Sequence, residues 1–226
     1  MKYDIKENER YKVLMSENYN YTFDKNEGIF IRYGKTVKDD PDMSPFGPEI
    51  ADIEVTTQCS GVGGKLCDFC YKSNNMNGKN MSIDTFKKLF DNLPKTLTQI
   101  AFGVDSKCDS NKDIWDMMKY SRQHGIASNV TVADVSDDVA DKLVEHCSAV
   151  AVSRYENKNF CYDSVKKLTD RGMGQVNIHI MLSADTVDLV WETIKDYSTD
   201  ERLAKLNAIV ILNLKTKGRG VNHKIL

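Results

Sequence analysis

From residue 50 onward, short apolar runs alternate with stretches in which apolar residues fall three or four apart. The runs cover residues 50–57, 98–102, 127–133, 149–153, 176–182 and 208–214, each closed by turn or capping residues. Short apolar runs bounded this way predict buried strands. Between them, Ser82 is placed to cap a helix whose Ile83, Phe86, Leu89, Phe90 and Leu93 share one face, and Pro94 ends it. Ser136 is placed to cap another, with Val139, Leu143 and Val144 inward. Val165 and Leu168 mark a helix that stops at Gly172, and Val187, Val190, Trp191 and Ile194 mark the next. Ile114, Met117 and Met118 fill the remaining gap.

Strands that alternate with helices predict parallel strands joined by right-handed crossovers, in an open doubly wound sheet or in a barrel. In both, chemistry belongs at the carboxyl ends of the strands. Before this α/β region, residues 20–33 alternate apolar and polar positions on either side of Asp24-Lys-Asn-Glu-Gly28 and predict a β-hairpin. A proline-rich connector over residues 40–48 follows. Residues 1–48 therefore read as a hairpin extension and 49–226 as the main domain.

Composition narrows the picture modestly. With 226 residues, 41% of them hydrophobic, the chain has enough apolar material for a substantial core. Its 31 Lys and Arg nearly balance 33 Asp and Glu, so charge suggests neither a nucleic-acid surface nor a membrane field. The first fourteen residues are too polar for a signal-peptide core, and no apolar run approaches a membrane span. The expected location is the cytoplasm. No G-x-G-x-x-G follows the first strand and no G-x-x-x-x-G-K-[ST] occurs, which disfavours nucleotide binding through either motif.

The chemistry concentrates in Cys59-Ser-Gly-Val-Gly-Gly-Lys-Leu-Cys67-Asp-Phe-Cys70, a glycine-bearing loop directly after the first strand. In a reducing compartment such a loop binds metal or does redox chemistry more often than it forms disulfides. Three thiolates without a neighbouring fourth suit a four-iron, four-sulfur (4Fe-4S) cluster with one iron open to a ligand. Structural zinc is the second reading, with Cys108 or His124 as fourth ligand, and a thioredoxin-like C-x-x-C is the third. Cys147 and Cys161 read as core thiols without a role.

With these cysteines the chain resembles the radical S-adenosylmethionine (radical SAM) enzymes. That family's common signature is C-x3-C-x2-C with an aromatic before the third cysteine, after the first strand of a partial (β/α)6 TIM-like barrel. Cys67-Asp-Phe-Cys70 matches the second half, whereas the first gap here is seven residues. The likeness extends from about residue 50 to residue 220. Gly103-Val-Asp-Ser106 stands where the family's Gly-Gly-Glu-Pro motif binds the SAM amino group.

The resemblance implies a 4Fe-4S cluster held by Cys59, Cys67 and Cys70. It implies SAM contacts from Phe69, Gly103 and Asp105, and from Thr131, Ser153, Arg154 and His179 at the ends of later strands. Asp105 reads equally as a turn residue, His179 as a core histidine, and Arg154 as a partner of Glu156. The terminal Leu212-to-Gly220 stretch corresponds to the family's sixth strand or to a basic tail, and the chain is expected to lack a C-terminal part that many relatives carry. The implied activity is reductive SAM cleavage to a 5'-deoxyadenosyl radical that abstracts hydrogen from a substrate. An electron donor such as flavodoxin or ferredoxin is the implied protein partner, and a peptide or small metabolite the expected substrate. A member that keeps the cluster but has lost turnover is the remaining alternative.

Overall fold

The computed structural model describes residues 2–223; residues 224–226 of the expected main domain lie outside the described residues. Antiparallel strands β1 (Tyr3–Glu7), β2 (Tyr11–Ser16), β3 (Asn20–Asp24) and β4 (Phe30–Tyr33) form a meander. The expected hairpin is present as β3 and β4, but it is half of a four-stranded sheet. The first two strands escape a period-2 reading because the inward positions of β2 are Lys12 and Leu14, both buried. A buried lysine reverses the polarity that alternation relies on. Its ammonium is accommodated by donating to the Leu97 carbonyl at 2.7 Å.

The six expected strands then follow as β5 (Ile50–Glu54), β6 (Gln99–Gly103), β7 (Ala127–Val132), β8 (Ala149–Ser153), β9 (Val176–Leu182) and β10 (Ala208–Asn213). All neighbours are parallel and lie in chain order, with β5 and β10 at the edges. Helices α1 (Ile83–Phe90), α2 (Ile114–Gln123), α3 (Asp137–His146), α4 (Lys158–Asp170) and α5 (Val187–Asp196) connect them. Ser82 and Ser136 cap α1 and α3 by accepting from Thr85 and Val139 N–H, as expected. Helix α4 starts earlier than its apolar residues suggest, at an Asn157 cap.

Parallel strands need crossovers, and here four helices lie on one face. Phe86, Met117, Met118, Val139, Leu143, Val165 and Leu168 pack with Ile53, Ile100, Phe102, Val130, Val132, Val150, Val152, Val176 and Ile178 in one buried cluster. Because side chains alternate across a strand, the intervening residues point away from this core. Over β5 to the middle of β9 they are polar or small, namely Glu54, Gln99, Ala101, Gly103, Asn129, Thr131, Ala151, Ser153, Asn177 and His179, and at the β9–β10 edge Met181, Val210 and Leu212 continue this face. A parallel sheet is usually apolar on both faces, so this one has a face built for something other than a second helix layer.

Helix α5 departs from expectation in its orientation. Val190 and Thr193 are buried while Trp191 and Ile194 are exposed, so the inward stripe is rotated from the one its largest apolar residues mark. The N-terminal sheet is no loose appendage. Its Leu14, Tyr19, Tyr21 and Phe23 pack with Ala127 at the amino end of β7, and the Tyr21 hydroxyl donates to the Thr96 carbonyl at 2.9 Å. The amino ends of the strands are thus covered, which leaves the carboxyl ends for a site. Among the described residues no helix is long and apolar enough to cross a membrane.

Candidate functional site

The cysteine loop joins β5 to α1 without a helix or strand of its own, so its backbone polar groups must be satisfied by turns and side chains. Its entrance is fixed by Cys59 N–H donating to Asn75 O at 2.9 Å and by Asn74 Nδ2 donating to Glu54 Oε1 at 3.0 Å. Between the first two cysteines, Val62 and Lys65 exchange main-chain hydrogen bonds of 3.0 and 3.1 Å. The two residues between them, Gly63 and Gly64, have φ of 58° and 79°, which is the two-residue hairpin turn that needs positive φ at both central positions. Cys70 N–H then donates to Cys67 O at 3.3 Å and closes a turn around Asp68 and Phe69.

Cys59, Cys67 and Cys70 are free and half-buried, whereas Cys108, Cys147 and Cys161 are free and buried. Burial pushes the Cys147 and Cys161 thiols up to about 12 and Cys108 well above its ordinary value. All three pack in the helix-side core and are inert there. Cys67 is also raised, first by burial, but Phe69 N–H, the Tyr155 side chain and the Arg219 charge act in the opposite direction. At Cys59, Gly61 N–H donates to the sulfur at 3.3 Å. Cys59 and Cys67 thus each have a main-chain N–H beside the sulfur, while burial still leaves the Cys67 thiol raised.

Neither expected fourth zinc ligand serves this loop. Cys108 belongs to the core, and His124 ends α2, which runs back toward the amino ends of the strands; its Nδ1 lies 2.8 Å from Tyr120 O. Among the described residues, no three His, Cys, Asp or Glu converge on a single metal position.

Phe69 stacks on Tyr155, with ring centroids 5.8 Å apart and planes 19° apart. The Tyr155 hydroxyl faces both the Cys67 thiol and Ser153, and burial raises its pKa. These aromatics and Cys67 line a cleft of about 300 Å³ with Leu66, Phe160, Met181 and Leu189. Tyr155 carried no motif in the sequence; its position one residue past the Ser153-Arg154 strand end was the available signal.

The remaining expected contacts divide. Ser153 and His179 are half-buried register partners on the polar face, and burial lowers the His179 pKa, which favours neutral imidazole. Thr131 lies on that face and is exposed. Gly103 is required for close approach: an added Cβ would come 2.7 Å from Lys72 Nζ and 2.9 Å from the Glu54 Cα, and these two residues form an ion pair 3.2 Å long. Asp105 is buried and accepts from Lys107 N, Ser110 N and Ser110 Oγ, so it shapes its own loop as a turn residue does. Its neighbour Ser106 links three strand-end loops, donating to Gly61 O at 2.6 Å and accepting from Ala133 N at 2.7 Å.

Arg154 is fully buried and turned toward α5, where Nη2 meets Glu192 Oε2 at 2.8 Å. It bonds Glu156 only through the main-chain carbonyl. The terminal stretch reaches the loop: Arg219 Nε donates to Cys67 O at 2.8 Å across a separation of 152 residues. Of the expected residues, Cys67, Phe69 and Arg154 line the cleft beside Tyr155, Arg154 while also paired with Glu192; Asp105 is engaged by its own loop.

No protein-family model matches the chain, and no curated protein is significantly similar to it.

Proposed function

We propose that the chain is a radical SAM enzyme on a partial (β/α)6 barrel, generating a 5'-deoxyadenosyl radical for hydrogen abstraction. The observation that carries this reading is three accessible thiols on one loop at the carboxyl end of the first strand, beside a polar sheet face that the helices leave free. Two features of the fold support a curved sheet. The strands run in chain order with one helix layer, and the tail after β10 bonds the loop after β5 although those strands are opposite edges.

The unusual first cysteine gap supports rather than weakens the likeness. Seven intervening residues are four more than three, and the Val62–Lys65 hairpin is a four-residue excursion that folds on itself. Removing it in thought leaves the family's spacing. The donor set also fits the cluster: Cys59, Cys67 and Cys70 are separate thiols on one loop, each of which would hold a different iron, whereas zinc needs its sulfurs within about 2.3 Å of one point.

When bound, the cluster would supply one electron to SAM held at its open iron. The protein's part is to position and to exclude water. Phe69 and Tyr155 provide a paired aromatic wall for a planar group, and Leu66, Phe160, Met181 and Leu189 keep the cleft apolar. Neutral His179 and Ser153 offer hydrogen bonds without adding a charge. The proposed substrate is a peptide or small metabolite that gives up a hydrogen atom, and a flavodoxin- or ferredoxin-type donor would supply the electron to the cluster.

A second reading, cluster binding without SAM cleavage, is favoured by one observation. The carboxylate expected to receive the SAM amine, Asp105, already accepts three donors from its own loop. Anaerobic reconstitution tests both: SAM-dependent release of 5'-deoxyadenosine under reduction supports the enzyme, and a stable cluster that releases none supports the binding protein.

A further inference from the structure

The cysteine loop's irregular backbone is held chiefly from the far edge of the sheet. Arg219 Nε donates to Cys67 O at 2.8 Å and Nη1 to Asn74 O at 3.1 Å. Its main-chain N–H donates to Cys70 O at 3.0 Å. One half-buried residue thus engages the carbonyls of both C-x-x-C cysteines and of the asparagine that anchors the loop to Glu54. The preceding residue makes the approach possible: at Gly218, with φ of 55°, an added Cβ would lie 2.5 Å from Tyr71 O and 2.7 Å from Cys70 O.

The chemistry of such a contact is directional. A peptide's C=O and N–H lie in its plane and point in opposite directions, so holding a carbonyl on the guanidinium fixes where the N–H of the same peptide points. Phe69 N–H, in the peptide that follows the one Arg219 Nε holds, faces the Cys67 sulfur. A lysine offers three rotatable donors on a flexible stem, whereas the guanidinium fork reaches two carbonyls in a fixed plane.

We propose that Arg219 is the positioning residue of the cysteine loop, fixing the turn that presents Cys67 and Cys70 together. Its hydrogen bonds act through the backbone rather than on a sulfur, and its charge reaches the Cys67 thiol. The proposal rests on the cluster reading only for its effect on potential; its effect on loop order belongs to the metal-free chain.

The test uses the full chain with Arg219→Ala, Arg219→Lys and Gly218→Ala, and Lys217→Ala as a control. In metal-free protein, hydrogen exchange at Cys70 and Ser73, whose amides bond within the turn, is expected to accelerate at least about tenfold in Arg219→Ala and Gly218→Ala. Arg219→Lys is expected to recover part of the protection, while Lys217→Ala and the amides of β6–β9 stay unchanged. After reconstitution, Arg219→Ala is expected to lower the cluster's reduction potential, because a nearby cation and the N–H donors it aligns favour the reduced form. Unchanged exchange in both loop variants overturns the proposal. Faster exchange with no cluster in the unmodified chain upholds loop positioning and removes the cluster reading instead. A cluster whose potential is the same in Arg219→Ala and the unmodified chain leaves that reading standing and overturns the tuning role.

Discussion

The two ends of the parallel sheet are built on opposite terms. At the amino end, Leu14, Tyr21 and Phe23 are completely buried against Ala127, and packing decides the arrangement. At the carboxyl end, Cys59, Cys67 and Cys70 stay half-exposed, and hydrogen bonds to the Asn75 carbonyl and from Ser106 and Arg219 decide it. Packing resists deformation, while a hydrogen-bonded loop keeps its thiols accessible. A site placed at the carboxyl end thus has a rigid sheet beneath it and adjustable chemistry above.

The sharpest way to break this comparison is thiol labelling. In native metal-free protein, Cys59, Cys67 and Cys70 should alkylate readily, whereas Cys108, Cys147 and Cys161 should react only through opening of the core. With core opening costing about 5 kcal/mol or more, their protection is at least roughly a thousandfold. Peptide mapping of alkylated protein reads the pattern, and rapid labelling of Cys147 would contradict the division. Next in size, Cys67→Ala should abolish the reconstituted cluster's visible absorbance and bound iron with little change in melting temperature. Iron and colour that survive this change rule out Cys67 as a ligand.

At the packed end, Phe23→Ala removes a ring with no exposure and should cost about 3–5 kcal/mol, measured by urea unfolding. Cluster assembly in that variant, at a temperature where it is folded, should persist. Loss of the cluster in a folded Phe23→Ala protein would mean that the ends are not independent.

Much of this organisation was legible along the chain, for definite reasons. The six strands and the Ser82 and Ser136 caps are local signals, and each appears at its expected place. Strand β2 was hidden because Lys12 occupies an inward position, and the α5 stripe was misaligned because Thr193 rather than Trp191 faces inward. In the site, the cysteine loop was visible from its spacing, but Arg219 meets it from 152 residues away and no local pattern announces that. Asp105 shows the converse: its place in the expected motif read equally as a ligand or as a turn residue, and Lys107 and Ser110 engage its oxygens as in a turn.

The smallest effect comes from His179. Burial lowers its folded pKa below the ordinary value near 6.5, so the unfolded chain takes up the proton first. This contribution to stability is present above about pH 6.5 and is lost as pH falls through the folded value, at about 1.4 kcal/mol per unit of difference. His179→Gln should flatten that acid limb in unfolding curves from pH 7 to pH 5. An unchanged limb would assign it to other groups.

The most direct test of the central claim is electron paramagnetic resonance of the anaerobically reconstituted, reduced chain, recorded with and without SAM. A reduced 4Fe-4S signal that changes when SAM is added is the predicted result, because an open iron beside Cys59, Cys67 and Cys70 would take the amino and carboxylate groups of SAM. A protein that gives no cluster signal and carries stoichiometric zinc would contradict the account.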